Sequence, residues 1–397
     1  MSENKKLDDL DQVLCQEHYK KIRGSLFDPV KLQKLKLNSS FYASSLFKLE
    51  CFVDALLSNA EIPFVPWSYR GGQREFVFNT FAERYFGSIP DFIEVINMLS
   101  PDYVYGERIK VFIFSCQAMG LLSEPLDWKN IHYDRQKTDP RFGGVSAAEL
   151  FNALVQKIRS EWKSNNLQAK VNAQKIEANN RHLAYCKYAD SLFADQARLV
   201  VVRIDLCYEN QYANSMSVDN ILADLDSLFR NKRANTRFRF MKGYIAKLEY
   251  SVDQGGHWHV IFFFDASGRK NSNHIKLTED IGEYWIDVIT KGRGVYWSSN
   301  KNTDRFDKFG SLGVGVINWD DTNLRRTLNE LVIGYLCKVD QFSKPKWGAK
   351  VRVFRRGNFP KMRINKRGRP RKELESYTGQ SPVSKQLIPN NPGGQAL

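Results

Sequence analysis

Two histidines flank one tryptophan in His257-Trp258-His259, which sits inside the run Gly255-Gly256-His257-Trp258-His259-Val260-Ile261-Phe262-Phe263-Phe264. On a strand, side chains two apart share a face, so both imidazoles project together while Trp258 turns away. A pair of neutral imidazoles on a rigid strand is half of a metal site. The chain has six histidines in 397 residues, so two within three positions concentrate that chemistry. Glu249 precedes them on a second β-favouring stretch, and Asp253-Gln254-Gly255-Gly256 between the two is rich in the residues that hairpins prefer. A hairpin through that turn sets Glu249 beside His257 or His259. Lys247, Glu249 and Ser251 share its face, and Ala246, Leu248 and Tyr250 share the other. Two imidazoles and a carboxylate make three protein ligands with positions left open. Such a mixed nitrogen and oxygen set suits Mg²⁺ or Mn²⁺ and leaves zinc open.

Tyr335-Leu336-Cys337-Lys338 is the second constellation. On a helix, Tyr335 and Lys338 are three apart and share a face. Leu324, Leu328, Leu331, Val332, Tyr335 and Val339 also form an apolar stripe, so taken alone these residues favour a core tyrosine with a snorkelling lysine. Near a divalent ion and a phosphodiester, however, a phenol is a nucleophile. Its ordinary pKa of about 10 calls for nearby positive charge, which metal and lysine would both supply.

The elements that must position these groups follow from periodicity. Residues 1–140 read as a mainly helical N-terminal domain, with apolar residues at helical spacing over 41–57, 76–86 and 92–99, and no chemical motif. Residues 133–144 read as a loop. Residues 146–197 read as a helical connector, opened by Ser146 with Glu149 three residues on and polar all round in its middle. From 198 the pattern changes to strand 199–206, helix 217–231, strand 242–251, strand 257–264, helix 277–290 and short strands at 294–297 and 313–319. A closing helix over 320–341 follows, capped by Asp320 or Asp321. That β-α-β-β-α-β order predicts an α+β domain of the split βαβ plan over 198–342. In it, an antiparallel sheet carries helices on one face and leaves the other free for a site.

The net charge of +15 is local. Thirteen Lys or Arg and no Asp or Glu fall between Gln341 and Lys372, the footprint of phosphate binding. Residues 343–397 read as a basic, largely disordered tail ending in a Ser/Pro/Gly/Asn-rich stretch. Arg355, Arg356, Lys366, Arg367, Arg369 and Arg371 are its candidate DNA contacts. No amphipathic anchor accompanies the charge, which favours nucleic acid over membrane as partner. No apolar run is long enough to span a bilayer, the first residues lack a signal-peptide core, and six cysteines are scattered without a CxxC pair. Reduced thiols in a cytoplasm are the expectation.

His257-Trp258-His259 followed downstream by Tyr335-x-x-Lys338 resembles the HUH endonucleases, in the order used by rolling-circle replication initiators. Arg203-Ile204-Asp205-Leu206 sits where that family has its first motif. Residues 179–208, through Arg198-Leu199-Val200-Val201-Val202-Arg203, are similar to the inovirus (filamentous-phage) gene-II-type initiators and their prophage relatives. The resemblance covers residues 179–342. It implies that His257, His259 and Glu249 hold a divalent metal, and that Tyr335 attacks single-stranded origin DNA in a bacterial cytoplasm. The products would be a 5′-phosphotyrosine and a 3′-OH primer, with Lys338 orienting the phosphate or stabilising the phenolate. Duplex origin DNA, a host helicase and the replication machinery are the implied partners. With one tyrosine in the motif, the second strand transfer falls to another subunit, to water or to another tyrosine such as Tyr296. Arg367-Gly368-Arg369-Pro370 resembles an AT-hook core, suited to the A·T minor groove, although a generic basic tail reads similarly. A non-catalytic DNA-binding regulator on the same scaffold and a transposase-like strand transferase are the alternatives.

Overall fold

Asn79 shows how local sequence sets the first elements. Its side chain accepts from Ala82 N–H at 3.0 Å and so starts a helix, while Phe76-Val77-Phe78 just before it are strand-favouring residues. The computed structural model describes residues 39–361, apart from 71–72, 100, 102, 123–137, 139–141, 214, 231, 233–234, 252–254, 267–272, 302–312, 339–342 and 347–350. Its first elements are α1 (Ser39–Ser58), β1 (Phe64–Arg70), β2 (Gln73–Phe78), α2 (Thr80–Tyr85), α3 (Ile89–Asn97), β3 (Tyr103–Tyr105) and α4 (Glu107–Ala118). The expected helix over 76–86 is therefore half a hairpin, with Val65 paired to Val77 and the helix beginning only after Asn79. These elements pack around Phe52, whose ring lies 5.4 Å from Tyr85 and 5.5 Å from Phe81.

Ser146 and Glu149 form the expected capping box. Each side chain bonds the other's backbone N–H, at 3.0 Å for Ser146 N and 3.3 Å for Glu149 N. The helical stretch they open is two helices, α5 (Ala147–Ser164) and α6 (Leu167–Asp195), broken at Asn166 with φ +50°, a conformation asparagine tolerates. The cluster around Phe52 takes side chains from both, with Leu167 and Val171 contributed by the start of α6. Leu150, Phe151, Leu154 and Ile158 of α5 join the cluster around Phe52. At its far end, α6 lays Tyr185, Tyr188, Leu192 and Phe193 on the sheet, while its middle is exposed.

The sheet is built from β4 (Arg198–Tyr208), α7 (Val218–Arg230), β5 (Met241–Ser251), β6 (Gly255–Asp265), α8 (His274–Tyr284, extended by a π-helical turn to Ile289), β7 (Gly294–Ser298) and β8 (Gly315–Asn318). One helix, α9, then runs through Thr322–Thr327, a π-helical Leu328–Ile333 and Gly334–Cys337, capped by Asp321. Two short strands follow, β9 (Ser343–Pro345) and β10 (Phe354–Arg356). The strand order is β10-β5-β6-β4-β7, with β8 sharing the β7 edge of β4, and every pair is antiparallel. Because β6 lies between β4 and β5, those two run parallel and are joined across it by α7. This is the split βαβ arrangement of an α+β domain.

One expectation is overturned: helices cover both faces. α7 and α8 pack on the face of Val202, Trp258, Phe262 and Phe264. α6 and α9 pack on the face of Leu199, Val201, Ile261 and Phe263. The reason lies in β6, where residues 255–264 are all buried, as in a strand sandwiched on both sides. Apolar residues at both parities leave no half of the strand that water can cover, and each large side chain buried contributes about 1.5–3 kcal/mol. Nor is the segment after 342 wholly a tail. β9 pairs with β3, and β10 is the edge strand beside β5.

Candidate metal centre

Register brings the centre together. On β5 and β6, Glu249 is the partner of His257 and Lys247 the partner of His259. On the other side of β6, Asp205 is the partner of His259, and beyond it Trp297 of β7 is the partner of Asp205. Lys247, His259, Asp205 and Trp297 therefore form one row across four strands, on the face that also carries Glu249 and His257. The apolar end of that face, with Val201, Ile245, Ile261 and Phe263, is roofed by α6 and α9, and the polar row begins where that packing stops.

Hydrogen bonds set the orientation of each ring. His257 Nδ1 donates to Gly255 O at 3.1 Å, which leaves Nε2 as the ring's free lone pair. Burial, and then the charge of His259, push His257 down to about 4, so it is neutral near pH 7. His259 is bracketed by carboxylates, with Nδ1 to Asp205 Oδ1 at 2.5 Å and Nε2 to Glu249 Oε2 at 2.9 Å. Burial favours the neutral ring. Asp205 and then Glu249 outweigh it and hold the His259 proton up to about 9. Burial would likewise raise Asp205, but His259 and then Arg203 hold its carboxyl well below the usual range. Glu249 Oε1 accepts from Lys247 Nζ at 2.7 Å, and Lys247 is itself only 2 % exposed.

Glu249, His257 and His259 each offer a ligand atom, all within 4.8 Å of one another. Their chemistry fits a divalent ion. Two imidazoles have Nδ1 engaged by Gly255 O and Asp205, an outer arrangement that aims Nε2 inward, and a carboxylate completes the set. Glu249, read from the sequence as beside one or other histidine, is the register partner of His257 and the hydrogen-bond partner of His259.

Tyr335 of α9 meets this centre edge to face, its ring centroid 6.1 Å from that of His259. Burial and the Glu249 carboxylate push its phenol up, with Arg203 pulling the other way. The Arg203 guanidinium lies 4.8 Å from the Tyr335 ring centroid. Lys338 caps the end of α9, its N–H donating to Gly334 O at 3.1 Å. α9 ends at Cys337, and Lys338 is extended at φ −53°, ψ 147°. The expected helix to 341 stops there, and Ser343 to Pro345 pairs with β3 instead. Tyr296 is excluded from this centre by parity: it is the partner of Leu206 and packs on the opposite face of the sheet.

Arg355 and Arg356 stand on β10. Arg355 ion-pairs with Asp226 and lies 5.3 Å from the Trp258 ring, and Arg356 lies 4.4 Å from the Phe359 ring. Lys366, Arg367, Arg369 and Arg371 lie outside the described residues. Asp205, Arg203 and Lys247 are the groups that motif reading did not assign a role. Their signal was present as polar residues two apart between apolar neighbours, Arg203 and Asp205 on β4 and Lys247 and Glu249 on β5.

Comparison of the chain with protein-family models, with curated proteins and with solved structures finds no match. Among the described residues, no helix is long and apolar enough to cross a membrane.

Proposed function

We propose that this chain is a metal-dependent DNA endonuclease and strand transferase of the HUH type, which nicks single-stranded origin DNA to start rolling-circle replication. The observation that carries the reading is the contact of Tyr335 with His259, which sets a phenol against the one Glu/His/His cluster among the described residues. Glu249, His257 and His259 would hold Mg²⁺ or Mn²⁺, which when bound supplies Lewis-acid charge at the phosphate.

Tyr335 is the nucleophile. Its Oη forms a bond to phosphorus as the bond from phosphorus to the 3′ oxygen breaks. The phenol gives up its proton, and the departing oxygen takes one to become the 3′-OH primer. The 5′ end stays on the enzyme as phosphotyrosine, which conserves the energy of the bond for rejoining. α9 and β6 are both anchored in the same core, so tyrosine and histidines approach the phosphate from fixed directions, and positioning supplies much of the rate.

The test is adduct formation. A single-stranded origin oligonucleotide and Mn²⁺ should give an SDS-stable protein–DNA adduct that is absent in Tyr335→Phe and strongly reduced in His257→Ala and His259→Ala. An adduct undiminished in Tyr335→Phe removes the nucleophile and with it the reading. Sequencing the trapped strand reports the cleavage site.

A further inference from the structure

Arg203 projects from the same face of β4 as Asp205, two residues away, beside the Tyr335 ring. Its backbone is held on both sides. Its N–H donates to Asn300 Oδ1 at 2.8 Å, and its carbonyl accepts from Ser299 N–H at 3.2 Å. The side chain is partly buried, yet among the described residues no hydrogen bond or ion pair engages its guanidinium, and Nε is sealed from water. Arg108, Arg325 and Arg355 also have a buried, unbonded Nε, but each pairs elsewhere on the fork, with Asp54, Asp190 and Asp226. The hydroxyl of Ser299, the residue bonded to the Arg203 backbone, is likewise buried without a hydrogen-bond partner among the described residues.

The guanidinium has the Tyr335 ring and the charge of Asp205 beside it but no hydrogen-bond acceptor among the described residues, and a buried N–H is seldom left unbonded. An acceptor that reaches the same place as the Tyr335 ring would complete the fork, and an anion suits its charge. A phosphodiester meets both requirements, because its two non-bridging oxygens match the guanidinium fork. We infer that Arg203 is the phosphate-binding residue of this centre, gripping the non-bridging oxygens of the phosphate that Tyr335 attacks. The inference rests on the reading of Tyr335 as nucleophile and adds to it the group that recognises the substrate. Lysine in this place would carry the charge without the paired N–H geometry.

Two measurements on the full-length chain test it, with thermal melting to confirm that each variant is folded. The first is the salt dependence of binding to a labelled single-stranded oligonucleotide in EDTA. Arg203→Ala should lower the slope of log affinity against log salt by about 0.7, the value of one phosphate contact on a single strand. Arg203→Lys, which keeps charge and stem, should keep the slope. The second is the rate of the Mn²⁺-dependent adduct, which should fall about a hundredfold or more in Arg203→Ala and be only partly restored in Arg203→Lys. Slope and rate both unchanged in Arg203→Ala overturn the inference and leave the tyrosine reading standing. A lowered slope with an unchanged rate places Arg203 on a neighbouring phosphate and also overturns it. A lowered slope in a chain whose wild type forms no adduct keeps the phosphate contact and removes the tyrosine reading. Absence of any binding by the wild type removes both.

Discussion

Asp205 and His259 are joined twice: their Cα atoms are register partners on β4 and β6, and Asp205 Oδ1 lies 2.5 Å from His259 Nδ1. The ring is therefore fixed by the sheet and by its own hydrogen bond, with Nε2 aimed at Glu249. A carboxylate behind a ligating imidazole sets both its tautomer and its direction.

Asp205→Asn should accordingly weaken Mn²⁺ binding about 10- to 100-fold while leaving the fold intact. Calorimetric titration of the two proteins measures it. Equal affinities would mean that strand geometry alone orients the ring.

Metal binding should release a proton. His259 keeps its proton up to about 9, whereas a ligating imidazole must be neutral, so near pH 7 the ion displaces about one proton. Affinity should then climb with pH until about 9. Titrations in buffers of different ionisation enthalpy count the protons, and a pH-independent affinity between 6 and 8 would contradict the double carboxylate bracket.

The metal-free protein should lose stability on both sides of about pH 6.5. His259 is raised from 6.5 to about 9, so its contribution is complete below 6.5 and is lost as pH rises through 9. His257 is lowered to about 4, so its contribution is present above 6.5 and is lost as pH falls through 4. Urea midpoints across this range follow the two limbs. An acid limb that persists unchanged in His257→Gln would assign it to other groups.

Gly255→Ala should cost about 2 kcal/mol or more of stability. Gly255 has φ +58°, where an L residue loses about 1–2 kcal/mol, and an added Cβ would also meet the backbone carbonyl of Ala213. Because Gly255 O also holds His257 Nδ1, the variant should weaken Mn²⁺ binding as well. A variant with wild-type urea midpoint would show that the turn relaxes freely.

Much of the fold was legible in local sequence. Ser146 and Glu149 announced a helix start because a capping box is complete within four residues. The alternation of β5 placed Lys247 and Glu249 on one face, and the turn before His257 set the hairpin that carries Glu249 to the histidines. What local pattern hid were the partners chosen by distant packing. Residues 76–78 share their apolar spacing with a helix, and only the pairing with β1 makes them a strand. The apolar run of β6 calls for cover on both faces, but which helices supply it is decided by packing between distant segments.

By itself, then, the sequence determined the candidate metal-ligand set, since strand period and a short turn bring Glu249, His257 and His259 together through contacts near in the chain. The tertiary structure alone decided what surrounds that set. Asp205 and Arg203 come from a strand more than forty residues away, and Tyr335 from a helix still further along. Their places depend on which strand pairs with β6 and on where α9 ends. Those outcomes are set by burying both faces of the sheet at once, a condition on the whole core that no segment's own spacing encodes.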